Sequence, residues 1–129
     1  MTMLEDIYKE QAKTQEYFRS KDPDLGCLSY SWPITTCEKK KELESKFKDD
    51  VLYLIKEATE VLDEINYKKH VSTRKEINRD NVIEELVDIF KYWLNLCLLM
   101  DFKPKEIHKI FKMKTKKVIE KKENEKHDA

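Results

Sequence analysis

Only one glycine, Gly26, and three prolines interrupt this chain of 129 residues. Tight turns and strand-to-strand corners draw heavily on both residue types, so their scarcity points to long helices joined by few connections. Hydrophobic periodicity then places those helices. Residues 3–19 form a first helix, with Leu4, Ile7, Tyr8, Gln11, Gln15 and Phe18 along one stripe. Ser20 to Gly26 is turn chemistry. It opens an irregular segment, Cys27 to Pro33, whose Tyr30 and Trp32 either cap the core or line a pocket.

Thr35-Thr36-Cys37-Glu38 reads as a capping box, a hydroxyl and a carboxylate satisfying free backbone N–H groups. It starts a second helix over Cys37 to Asn66, with Leu43, Phe47, Val51, Leu54, Ala58, Leu62 and Ile65 as its inner stripe. A polar, basic connector follows, Val71 to Asp80. Asn81 with Glu84 reads as another capping box, opening a third helix over Val82 to Met100. Its apolar residues wrap most of the circumference, which predicts a buried helix. Asp101 to Pro104 breaks the chain, and Pro104 suits the first turn of a fourth helix. Ile107, Ile110, Phe111, Met113 and Val118 supply that helix's inner face, and the lysine-rich sequence beyond is expected to fray. The expected fold is all-α: a four-helix-bundle-like core with an N-terminal helix, the third helix central, in a single domain over 1–129 with its core at about 37–121.

Lysine plus arginine equals aspartate plus glutamate, at 26 each, which gives no electrostatic case for nucleic acid or an anionic membrane as partner. Cys27, Cys37 and Cys97 match no zinc spacing and read as reduced thiols. The N-terminus is polar, without a signal-peptide apolar region. The longest apolar run, Trp93 to Met100, is far too short to span a bilayer. A soluble, cytoplasmic protein is the expectation, in a host cytoplasm if phage-encoded.

The functional signal lies in two short acidic pairs, Glu57-Ala58-Thr59-Glu60 and Glu85-Leu86-Val87-Asp88. Three-residue spacing puts each pair on one helix face, one turn apart. The second pair sits in the most apolar helix, where Glu85, Asp88, Lys91 and Asn95 form one narrow polar line. Carboxylates are costly to bury unless they are paired or bind a metal. All-oxygen donors select hard cations, magnesium first and manganese as its substitute. Magnesium held by carboxylates commonly completes its shell with water and substrate phosphates. The basic residues fit a triphosphate: Lys68, His70, Arg74 and Lys75 follow the first pair, Lys91 follows the second, and Lys114 and Lys121 share a face of the last helix.

Taken together, Glu57-x-x-Glu60 followed by Glu84-Glu85-x-x-Asp88 resembles the motif of the all-α nucleoside triphosphate pyrophosphohydrolases, the MazG and dimeric-dUTPase-like superfamily. Glu60 to His70, with its aromatic-Lys-x-His ending, is similar to the first motif helix of dUTPase-like and phage-type members. Glu85 to Leu96 resembles the second motif helix, and Lys114 to Lys121 a C-terminal basic motif. Lys56 replaces a frequent glutamate, and Lys121 stands where arginine is common. The resemblance implies the all-α NTP pyrophosphatase fold and magnesium-dependent hydrolysis of a (d)NTP, such as dUTP, to monophosphate and pyrophosphate. It implies metal ligation by Glu57, Glu60, Glu85 and Asp88, with Glu57 or Glu60 also handling the water. It implies substrate contacts from Lys68, His70, Lys91, Asn95, Lys114 and Lys121, with Trp32 able to stack on a base. It further implies a homodimer or a dimer of dimers. Two other classes compete. A helical adaptor would leave Glu85 and Asp88 exposed. A carboxylate-bridged di-metal bundle needs Glu-x-x-His spacing on core helices, and none of the three histidines supplies it.

Overall fold

The computed structural model describes residues 2–24, 30–65 and 76–127. Among these, the elements are four helices: α1 (Met3–Lys21), α2 (Cys37–Asp63), α3 (Arg79–Leu99) and α4 (Pro104–His127). The all-α, bundle-like expectation holds, and α3 is the central member, packed along α2 and crossed by α1. The helix starts are set by side-chain caps, each worth about 1 kcal/mol. Thr2 accepts from the Glu5 backbone N–H at 3.1 Å. At α2 the cap is Thr36, not Thr35, and it accepts from Lys39 N–H at 3.3 Å. At α3 the cap is Asn78, whose Oδ1 accepts from Asp80 and Asn81 N–H at 3.1 and 3.2 Å. The helix therefore starts ahead of the Asn81 box, because an Asx side chain three residues upstream already satisfies those donors. Asn81 instead donates its side-chain amide to Glu64 at 3.5 Å, linking the end of α2 to the start of α3.

The core lies at one end of the molecule. Tyr8 of α1, Tyr30 of the connector, Leu43 of α2 and Leu94, Cys97, Leu98 and Leu99 of α3 form it, with Phe47, Phe90 and Ile107 packed against them. Tyr30 thus caps the core. Leu94 and Leu99 are 1% and 0% exposed, and each contributes about 1.5–3 kcal/mol through burial. Burial also pushes the Cys97 thiol up to about 11. The other half of α3 differs from expectation: Ile83 is 61% exposed, with Leu86 and Val87 also outside. Periodicity marks a face as apolar without saying what covers it, and here no described element does. The same holds for α4. Only Ile107 of its apolar stripe reaches the core, while Ile110, Phe111, Met113 and Val118 are exposed, and among the described helices α4 packs on α1. α4 itself continues to His127.

α3 ends in a Schellman turn, with Phe102 N–H donating to the Cys97 carbonyl at 2.9 Å and Asp101 N–H to Leu98 at 3.1 Å. Asp101 occupies the left-handed position, φ 56°, that glycine usually takes.

Candidate active site

α2 and α3 run antiparallel, so residues later on one face residues earlier on the other. Tyr53 stacks on Tyr92, ring centroids 5.6 Å apart. One turn on, Glu57 meets Asp88, and one turn beyond that Glu60 meets Glu85. Oxygens of Glu57, Glu85 and Asp88 lie within 4.8 Å of one another. Glu60 shares side-chain hydrogen bonds with both Glu57 and Glu85. The two sequence pairs therefore converge on one point.

That point is electrostatically unfavourable as it stands. The Glu57 carboxyl is held above its ordinary range, first by burial, then by hydrogen bonding to Glu60 and the charges of Glu60, Asp88 and Glu85. Glu85 is raised likewise, by burial and then by Glu60 and Asp88. One Glu85 oxygen, Oε2, is buried with no hydrogen-bond partner among the described residues. A buried, unsatisfied carboxylate oxygen beside two more carboxylates is what a cation would relieve. The donor set, all oxygen and all anionic, fits a hard divalent ion such as magnesium.

Glu57 and Asp88 also form one end of an open cleft of about 560 Å³ lined by residues of α1, α2 and α3. Lys91 lines it beside them, and its far end is amide-rich. There Gln11 Nε2 donates to Asn95 Oδ1 at 2.8 Å, both residues buried, with Gln15 buried one turn along α1. Tyr53, Tyr92, Phe18, Lys46, Asp49 and Asp50 are also among the lining residues.

The structure thus brings together Glu57, Glu60, Glu85, Asp88, Lys91 and Asn95. It places the others elsewhere. Trp32 lines a separate hollow with Met100, Phe102 and Glu106, away from the acids, because the connector carrying it packs at the C-terminal end of α3. Lys114 and Lys121 are exposed on α4 and are not among the residues lining the cavity of the same chain, since α4 packs on α1, not on α2 or α3, among the described helices. Lys68 and His70 lie outside the described residues, as do Arg74 and Lys75. Sequence reasoning missed Tyr53, Tyr92 and the role of Gln11 and Gln15. A signal existed for each: the tyrosines stand four residues from Glu57 and Asp88, and the glutamines occupy inward positions of α1 where apolar residues would ordinarily sit.

Comparison with known families bears directly on this arrangement. A family model described as dUTPase matches residues 34–127, well over half of the chain and all of α2, α3 and α4. The chain belongs to the dUTPase family. The match begins after α1, so the helix that closes the amide end of the cavity lies outside it. No curated protein and no solved structure matches the chain. Family membership supports a nucleotide pyrophosphohydrolase-type function, with a nucleoside triphosphate as substrate. No helix among the described residues is long and apolar enough to cross a membrane.

Proposed function

We propose that this dUTPase-family chain hydrolyses a deoxynucleoside triphosphate, dUTP foremost, to the monophosphate and pyrophosphate with magnesium, manganese substituting. The observation that carries the reading is the convergence of the four carboxylates at one end of the cavity, where Glu57 and Asp88 line it, with a buried amide cluster at the other end. Glu57, Glu60, Glu85 and Asp88 would hold the metal. When bound, the ion supplies charge neutralisation of the phosphates and acidification of an attacking water. Glu57 or Glu60 orients that water and takes its proton as oxygen bonds to phosphorus and the phosphoanhydride P–O bond breaks, pyrophosphate leaving. Lys91 offers its ammonium to the phosphates beside Asp88. Gln11, Gln15 and Asn95 offer amide donors and acceptors that suit the edge of a pyrimidine.

The adaptor reading fares worse against Glu85, whose buried oxygen a surface carboxylate would not have. The di-metal bundle needs histidine donors, and the cluster among the described residues contains none.

An oligomer is part of the proposal. The chain exposes 10650 Å², against roughly 7,200 Å² for a compact monomer of its mass. The surplus is partly apolar, with Leu52, Ile55, Ile83 and Leu86 on the α2–α3 pair and Phe111, 72% exposed, on α4. A homodimer or dimer of dimers would cover such faces. It would also give Lys114 and Lys121 a site to serve in a neighbouring copy. As an enzyme of the nucleotide pool, the protein would act in the cytoplasm.

The test is incubation of the purified protein with magnesium and a panel of dNTPs, with products separated by ion exchange. Monophosphate and pyrophosphate are expected, and dUTP should be consumed fastest. Release of inorganic phosphate instead, or no turnover of any triphosphate, would sink the reading.

A further inference from the structure

A second hollow lies apart from the acidic cleft and shares no lining residue with it. Its volume is about 260 Å³, and Trp32, Met100, Asp101, Phe102 and Glu106 line it. That is just below the range of about 300–1,000 Å³ usual for drug-sized ligands, so the hollow suits a group of a few heavy atoms. The connector before α2 supplies Trp32, the turn after α3 supplies Asp101 and Phe102, and the first turn of α4 supplies Glu106. Folding leaves both rings half open, Trp32 at 45% and Phe102 at 41% exposure.

The charge around this hollow is one-sided. The C-terminal end of α3 and the N-terminal end of α4 meet here with opposite partial charges, so the side chains set the sign. Two of the lining residues are carboxylates and none is a cation. Lys103 is the neighbouring ammonium, and Asp101 engages it, Nζ to Oδ1 at 2.7 Å. Glu106 has no ion pair among the described residues. An anion would therefore meet two carboxylates. A bare divalent ion would find ring carbon and a thioether where it needs oxygen. An ammonium group on an apolar stem uses every wall, its charge between the rings and the carboxylates and its stem on Met100.

We infer that this hollow is a binding site for an alkylammonium group, held by the Trp32 and Phe102 rings with Glu106 as its counter-charge. Tryptophan is the strongest cation–π partner among the aromatic side chains. The group arrives either on a free amine or on a lysine side chain of another protein, and the same walls serve both. The preference for an ammonium over a neutral group of the same shape corresponds to about ten-fold in affinity.

Titration of the full ¹⁵N-labelled chain with n-butylammonium chloride, followed by NMR through the indole N–H signals, tests this. The chain has two tryptophans, and Trp93, outside the hollow, serves as the internal reference. The Trp32 signal, assigned with Trp32→Phe, should move and saturate while that of Trp93 stays. n-Butanol, the uncharged counterpart, should bind about ten-fold more weakly. Glu106→Gln should weaken the ammonium about three-fold and leave n-butanol unchanged. In Trp32→Ala, read at the Phe102 backbone N–H, the preference for the ammonium should shrink to within about three-fold of unity. Should that variant fail to fold, Glu106→Gln carries the test, since its side chain is exposed. Tighter binding of N-acetyl-lysine N-methylamide than of n-butylammonium would assign the site to a protein side chain, and the reverse order to a free amine. A stationary Trp32 signal would overturn the inference. So would equal affinity for n-butanol and n-butylammonium, or wild-type binding of the ammonium by Glu106→Gln.

Discussion

Asn95→Ala is the most informative single perturbation of this molecule. Asn95 is buried on α3 and accepts the Gln11 side-chain N–H at 2.8 Å, a contact that ties α1 to the helix at the centre of the fold. Truncation removes the acceptor and strands the Gln11 amide in a buried site. Leaving a buried donor without a partner costs about 1–3 kcal/mol, more than the 0.5–1.5 kcal/mol net value of the bond itself. For a chain of this size that is a fall in Tm of about 4–12 °C. Urea unfolding followed by circular dichroism measures it. The double variant with Gln11→Ala removes both partners, so a thermodynamic cycle isolates the bond and should return a coupling of about 0.5–1.5 kcal/mol. Activity should fall too, since the same pair forms the amide end of the cavity. A destabilisation below about 0.5 kcal/mol with no coupling would mean that α1 does not dock through this pair. The description of the cavity's far end would then be wrong.

Three other outcomes follow from the structure. Glu57 and Glu85 have folded-state affinities for protons raised above the ordinary carboxylate value of 4.5. Their contribution to stability is full below that value and is lost as pH rises through the raised folded-state range. Magnesium needs the deprotonated carboxylates, so the Tm gained on adding it should be larger at pH 8 than at pH 5; a gain that shrinks with rising pH would contradict a carboxylate site. Asp101→Gly should raise stability by about 0.5–1 kcal/mol, measured by thermal melting, because glycine occupies the left-handed turn position at no steric cost. A disulfide reagent should modify exposed Cys37 rapidly, while buried Cys97, its thiol pushed up to about 11, should react only on unfolding; equal rates under native conditions would refute that burial.

The acidic quartet was legible in the sequence because two independent constraints agree on it. Helical spacing puts each pair on one face, and the apolar setting of Glu85 and Asp88 makes them costly without a partner. The cap positions were legible only to within a few residues, since Thr35 and Thr36, or Asn78 and Asn81, offer the same chemistry and tertiary packing selects between them. The exposed half of α3 and the uncovered stripe of α4 could not be read, because an apolar stripe carries no information about its cover. Gln11 and Gln15 looked like weak members of an apolar stripe. Their meaning depends on Asn95, far along the chain, and no local pattern connects them.

The unequal burial of α3 has a mechanical consequence. Its last turns carry the buried Leu94, Asn95, Cys97, Leu98 and Leu99, whereas the turns bearing Glu85 and Asp88 are flanked by exposed Ile83, Leu86 and Val87. The helix is a cantilever, fixed at the amide end and loaded at the acidic end. A small flexure about the buried end changes the gap between Asp88 and Glu57 most and the seat of Asn95 least. The spacing of the carboxylates can thus change while the amide end keeps its shape.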